Sequence, residues 1–366
     1  MKSMWEIQGD RNTKENRKFS SPWASRAILV ALIGLMVMAA YIGRAPVVTG
    51  KAKPGEFCDN AMHRIVVNRV QAGESYYDAL GAELRRSGYA TKPFFHWRLP
   101  TLLWMTGKLP LAVASKGILI AITILMIFVW ANHVRPSIGL LLTCVVVAVL
   151  TPPLFLAILG NWFLQHELWA GVLIALSLGL HYSRRSKLSI LFGLTALAIR
   201  ELALVYVLIM CVTAAYERKM KEAIAWAVGI VAFGVFLGIH ASIVIPRQMT
   251  ADLSDPSWLR FGGWPFVTVC SGWMFWALLP YWLAAMLAVL GVFGLAVSCR
   301  FRMLATVAAY MATFSIAGKS FNDYWGLMYS PLLAIGLVHS IPAIRNLVVT
   351  ALPRRKSQPS RDKLTS

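Results

Sequence analysis

The sequence predicts an all-α integral membrane protein of about ten membrane segments, two of them forming a short-helix hairpin, with a large helical loop after the first span. Three observations carry this. Of the 366 residues 58% are hydrophobic and 14% charged, too apolar a balance for a soluble domain. The apolar residues come in blocks of roughly 17 to 25, the length that crosses a bilayer core. The 36 lysines and arginines, which give a net charge of +20, fall in short connections and at the two ends. There they set orientation and touch anionic headgroups, so no nucleic-acid partner is implied.

Residues 1–23 are polar, with Lys2, Arg11, Lys14, Arg17 and Lys18, and read as a disordered cytoplasmic tail. The apolar run 27–42 is followed by no clear small-residue cleavage site and reads as an uncleaved first span. A polytopic membrane domain covers 24–343, and 344–366, with Arg354, Arg355 and Lys356, is a basic cytoplasmic tail. Residues 44–116 form the first external loop, the largest place outside lipid where polar chemistry can be assembled. Within it Met62, Ile65, Val66 and Val70 recur at helical spacing over 59–70, and Tyr77, Leu80 and Leu84 do so over 76–84. Two amphipathic helices on the membrane surface are therefore expected, parted by Gly73 and ended by Gly88.

The stretch 101–105 is too short to span and belongs at the interface. Spans at 117–132 and 138–159 are joined by a turn at His133 and Arg135, the second span being kinked by Pro152 and Pro153. The span 168–180 returns to Arg184, Arg185 and Lys187. The block 188–216 is apolar except for Arg200 and Glu201, and basic clusters on both flanks ask for the same, cytoplasmic side. A hairpin satisfies both. Arms of about 12 to 14 residues reach about 18 to 21 Å, short of the roughly 30 Å core, so the Arg200-Glu201 tip ends in a polar cavity below the outer surface. Spans at 223–245, 273–297, 304–316 and 325–338 follow, with external connections at 246–272 and 318–326, and both termini lie in the cytoplasm.

Polar groups are expensive in this setting, so each acid and base has a functional and a plainer reading. Asp59 is either a helix N-cap or a general base. Glu74 and Asp78 lie four residues apart on one helix face, and pairing with Arg85 or Arg86 is their plainer reading. Arg200 and Glu201 make either a structural ion pair or, through the guanidinium fork, a phosphate ligand. Lys319 is a second cation that either joins that cavity or snorkels at a helix end. His166 and Glu167 precede a span, where capping or headgroup contact explains them, and His240 reads as a satisfied core histidine. The five cysteines show no CxxC and no metal spacing. Cys58 and Cys270 share the outer side, with two free thiols the plainer reading. No HExxH, GxSxG, Walker loop or DxD-like pair is present, which removes support for proteolysis, serine hydrolysis and ATP-driven transport.

The loop segment GESYYDALGAELRRSGYATKPFFHWRLP, with QHELWAG, AIRELAL and FNDYWG further on, resembles bacterial members of the membrane-embedded GT-C glycosyltransferase superfamily over most of 57–336. The resemblance implies transfer of a sugar from a polyprenyl-phosphate donor to a lipid, glycan or protein, with inversion, on the periplasmic face of the bacterial inner membrane. Asp59 best matches the early loop acid that serves as base in that family. Asn60 follows it where many members carry a second acid, so Glu74 or Asp78 would have to substitute. Arg200, Lys319 and Arg98 would hold the lipid phosphate. Tyr76, Tyr77, His96, His166, Glu167, Glu201, Asn322 and Tyr324 complete the expected substrate contacts. No metal ligand is assigned, and the need for a divalent cation stays open. The implied partners are the lipid-linked donor and membrane lipids, with no protein partner assigned. The alternative is a transporter or flippase of a lipid-linked saccharide with Arg200-Glu201 as its gate, which would dispense with the loop acids.

Overall fold

The computed structural model describes residues 21–43, 59–255, 259, 261–273, 279–298 and 300–352. The expected disorder of 1–23 falls almost wholly outside the described residues, as do Cys58 and the Arg354, Arg355 and Lys356 cluster. Among the described residues the fold is all helical, with two isolated β-bridges and no named strand. Four helical stretches are long and apolar enough to cross a membrane: Pro22–Ile42, Val113–Ile158, Met220–Arg247 and Ser330–Ala351. Large apolar side chains point outward from them, Val30, Phe128, Leu141 and Val231 among them, as a lipid-facing surface requires.

Helix α1 (Pro22–Ile42) is capped by Ser21, whose hydroxyl accepts from the Ala24 amide. The first loop then supplies α2 (Asp59–Gln71), α3 (Tyr76–Arg86) and α4 (Pro100–Lys108). Gly73 (φ 96°) and Gly88 (φ 71°) stand at the two breaks expected of them. The buried faces are rotated from the expected ones. In α2 His63 and Val67 join Met62, Val66 and Val70, while Ile65 is half-buried. In α3 Tyr76 and Glu83 are buried and Tyr77 is not. Glu83 goes inside because Arg69 and Arg86 bind its two oxygens at 2.7 and 2.8 Å.

Helix α5 (Val113–Val149) is broken at Gly139, whose φ of 78° and ψ of 175° are not helical. Lys116 Nζ donates to the Ile158 carbonyl at 3.1 Å, so the chain doubles back between them. The reversal falls at Gly139, past the expected His133 and Arg135, because glycine there takes a conformation that side chains disfavour. Helix α6 (Pro152–Ile158) follows, then α7 (His166–Tyr182), buried from His166 to Leu180 and the centre of the bundle.

Helices α8 (Ser186–Ile199) and α9 (Leu204–Tyr216) are the two expected arms. Ser177 of α7 donates to the Ser189 carbonyl at 2.6 Å and shares a hydrogen bond of 2.6 Å with Tyr206. Both arms therefore meet α7 at one place, which only a reversal at Arg200-Glu201 allows. Helix α10 (Met220–Val244) follows. At the end away from the hairpin tip, the buried Arg302 binds Glu217 at 2.9 Å and also Glu222, tying α13 (Phe301–Ile316) to the turn between α9 and α10.

Two further expectations fail. Residues 246–272, expected as an external connection, contain the buried helix α11 (Gly263–Gly272). Phe266, Val267, Val269 and Cys270 supply enough apolar surface to sink a ten-residue helix into the fold. The last span does not begin at Trp325: residues Ser320–Met328 form a 3-10 segment, and α14 runs Ser330–Ala351, into the stretch expected as tail. Helix α12 (Tyr281–Val297) starts after Pro280, and small residues let α12 and α14 touch backbone to backbone. A Cβ on Gly294 would come 1.9 Å from the Gly336 carbonyl oxygen.

Candidate active site

Six separate segments meet around Asp59. It opens α2, and its carboxylate accepts from the Tyr89 hydroxyl at 2.6 Å and the Tyr324 hydroxyl at 3.0 Å. Tyr89 follows the glycine that ends α3, and Tyr324 comes from the 3-10 segment before α14. Arg98, just before α4, places Nη2 4.0 Å from Asp59 Oδ2 and donates to the Tyr324 hydroxyl at 3.4 Å. Burial alone would raise the Asp59 pKa, but Arg98, His63 and the two hydroxyls outweigh it and hold the carboxyl below its usual range. The group is ionised at neutral pH, with lone pairs left for a further donor.

Beneath Asp59 lies a buried ionic layer. Arg200 is fully buried; its Nε is 2.7 Å from Glu167 Oε1, its Nη1 pairs with Glu201, and its guanidinium sits 5.9 Å from the Trp325 ring centre. Gln165 Nε2 holds the other Glu167 oxygen at 2.8 Å. Arg200 Nη2 has no hydrogen-bond partner among the described residues. Arg200 leaves helical geometry at φ −140°, which ends α8 and turns the guanidinium toward α7.

His63 and His166 fill the space between the two layers, their ring centres 5.1 Å apart and edge to face. Both are buried, and neither has a well-formed hydrogen bond on a ring nitrogen. Burial pulls the His63 pKa down to about 4 despite Asp59 beside it, with Arg98 and Arg200 adding to the drop. It stands at neutral pH as an uncharged imidazole.

The expected site residues divide. Asp59, Arg98, His166, Glu167, Arg200, Glu201 and Tyr324 come together. Lys319 lies at the edge, paired with Asp255 and close enough to His96 to lower its pKa, after burial, to about 4. His96 itself meets the Asp255 backbone carbonyl at 3.2 Å. Asn322 is buried in the turn that presents Tyr324. Glu74 and Asp78 are not brought to Asp59. Glu74 binds Arg69 at 2.6 Å and the exposed Asp78 binds Arg247 at 3.1 Å, neither being the Arg85 or Arg86 expected as partner. Arg85 instead takes Asp252 at 2.7 Å. Tyr76 donates to the Arg98 carbonyl at 2.7 Å and Tyr77 meets His240 at 3.2 Å, so both hydroxyls are used in packing. His240 is the satisfied core histidine expected, with its second nitrogen 3.2 Å from the Trp97 carbonyl.

Sequence reasoning missed His63, Gln165 and Trp325, and it reads Tyr89 as one of the loop aromatics of an interfacial belt or a sugar-stacking surface, not as a partner of Asp59. His63 had a usable signal, since it falls four residues after Asp59 and shares its helix face. The pairing of Tyr89 with Asp59 had none, because its approach depends on how the chain leaves Gly88. Among the described residues no three His, Cys, Asp or Glu side chains are grouped to hold a metal ion. Compared with known proteins, the chain matches no protein-family model, no curated protein and no solved structure.

Proposed function

We propose that the protein is a polytopic glycosyltransferase of the bacterial inner membrane, with about ten membrane segments and both termini cytoplasmic. It transfers a sugar from a polyprenyl-phosphate donor to a lipid, glycan or protein hydroxyl on the periplasmic face. The observation that supports this reading is the meeting of the ionised Asp59 with the Arg98 guanidinium, above a second buried guanidinium, Arg200. A hydroxyl acceptor needs a base and a phosphate leaving group needs fixed cations.

The acceptor oxygen attacks the anomeric carbon, its proton passes to Asp59, and the bond from that carbon to the phosphate oxygen breaks with its electron pair leaving on the lipid phosphate. A carboxylate held below its usual pKa is a weak base, so the proton moves late, once the attacking oxygen has become acidic. Arg98 faces the growing phosphate charge, and in the lower layer Arg200 Nη2 has no hydrogen-bond partner among the described residues. Attack from the side opposite the leaving group inverts the configuration.

The test uses purified protein in nanodiscs, a panel of radiolabelled polyprenyl-phosphate sugars and membrane lipid extract as acceptor. Wild type should transfer label, Asp59→Asn should lose at least a hundredfold of it while still binding donor, and the exposed Asp78→Asn should keep it. Equal transfer by wild type and Asp59→Asn would refute the base. Label that crosses between leaflets in both proteins with no transfer would replace this reading by a flippase.

A further inference from the structure

A second polar site lies on the first loop, at the other end of α2 from Asp59. It is a cleft of about 620 Å³ between the C-terminal turn of α2, the glycine turn after it and the link from α4 to α5, with Arg64, Gln71, Gly73, Lys108 and Leu111 in its walls. That volume is in the range of small-ligand sites. The backbone around it is firmly set: Gln71 Nε2 donates to the Leu109 carbonyl at 3.4 Å, and Gly107 lets α4 lie so close to α2 that a Cβ there would come 2.5 Å from Val70. A Cβ built on Gly73 meets nothing within 4 Å, so the cleft is open on that side.

Its charge is uncompensated among the described residues. Arg64 is half-buried and Lys108 exposed, and among the described residues neither has an ion-pair partner. Nearby acids are taken: Arg69 holds both Glu74 and Glu83, and Arg86 holds Glu83 as well. A half-buried guanidinium without a counterion is costly unless an anion arrives. The opposite rim is apolar, with Leu111 66% and Val113 54% exposed. Val113 is also the first residue of the candidate membrane span Val113–Ile158. The cleft therefore opens where a membrane helix begins, with cations on one side and exposed hydrocarbon on the other.

We infer that this cleft binds the headgroup of an anionic phospholipid, its phosphate between Arg64 and Lys108 and its acyl chains running down past Leu111 and Val113. A lipid carries both the charge and the hydrocarbon that the two rims call for, whereas free phosphate answers only one of them. The site is separate from the Asp59 cluster and does not rest on the transferase reading.

Native mass spectrometry of the detergent-purified full chain tests it, with phosphatidylglycerol, phosphatidylcholine or inorganic phosphate as the added probe. Wild type should retain one phosphatidylglycerol most tightly. Arg64→Gln with Lys108→Gln should weaken that first binding about thirtyfold, the contribution of two basic residues at an anionic surface. Arg185→Gln with Lys187→Gln, two exposed basic residues elsewhere, should leave it within threefold of wild type. Equal retention by the Arg64/Lys108 variant, or equally tight phosphatidylcholine binding, would overturn the inference. Displacement of the lipid by millimolar phosphate would assign the cleft to a free anion and overturn it too. Both variants alter residues that make no ion pair among those described, so the fold should survive, which unchanged gel filtration and thermal midpoint would verify.

Discussion

Replacing Glu167 by glutamine leaves the buried Arg200 with Glu201 as its one carboxylate partner among the described residues. Arg200 is 0% and Glu167 1% exposed at the side chain, so neither charge falls back on water when its partner is removed. Breaking such a pair from one side costs about 3–5 kcal/mol. Glu167→Gln should fall at the lower end, about 3 kcal/mol, because Glu201 still compensates the guanidinium. Arg200→Met should cost more, about 5 kcal/mol, because it strands two acids, although Glu201 at 26% exposure is partly wetted. The double variant removes the stranded charge from both sides of the pair, so the two losses should fall short of their sum by about 2–3 kcal/mol. The assay is a denaturant midpoint in detergent micelles followed by tryptophan fluorescence, with wild type, both single variants and the double variant in one cycle. Losses that add within about 0.5 kcal/mol would refute the reasoning, since additivity means the two groups share no buried contact.

Tyr324→Phe removes one of the hydroxyls on Asp59 and should cost about 1–2 kcal/mol at pH 7. The Asp59 pKa is lowered by folding, so this contribution is present above the unfolded value and lost as pH falls through the folded one; the gap from wild type should narrow as pH drops below the ordinary aspartate range, as denaturation midpoints at neutral and at acid pH would show. Asp323 carries the opposite sign: burial raises its pKa to about 6 despite the Trp273 side chain, so its ionisation weakens the fold as pH rises from the unfolded value through the folded one. Asp323→Asn should therefore stabilise at pH 7.5 by up to about 3 kcal/mol and change little at acid pH, which a thermal midpoint series would reveal. Gly326→Ala would push a Cβ to 1.7 Å from the Cys270 carbonyl oxygen and should cost at least 1–3 kcal/mol, visible as a lower thermal midpoint. Because this close approach seats the segment that carries Tyr324 against α11, the transfer activity proposed above should fall with it.

Much of the architecture is legible along the chain. Apolar run length, glycine breaks and the basic clusters flanking 188–216 led to the membrane helices, the two loop helices and the reversal at Arg200-Glu201, because each reports how a local segment divides between water and hydrocarbon. Asp59 and Arg200 stood out for the same reason, as charges in unusual places. Partner choice is another matter. Arg69 rather than Arg85 takes Glu74, and Arg85 reaches a residue 167 positions away, Asp252. His63, Tyr89 and Gln165 enter the site from ordinary-looking positions, and α11 sinks where a loop was expected. A charge selects the opposite charge that packing brings within a few ångströms, and that distance is fixed by which helices pack together, not by spacing along the chain. The sequence by itself determined that this is a helical, lipid-facing protein with charges it must bury; only the tertiary structure decided which of those charges meet.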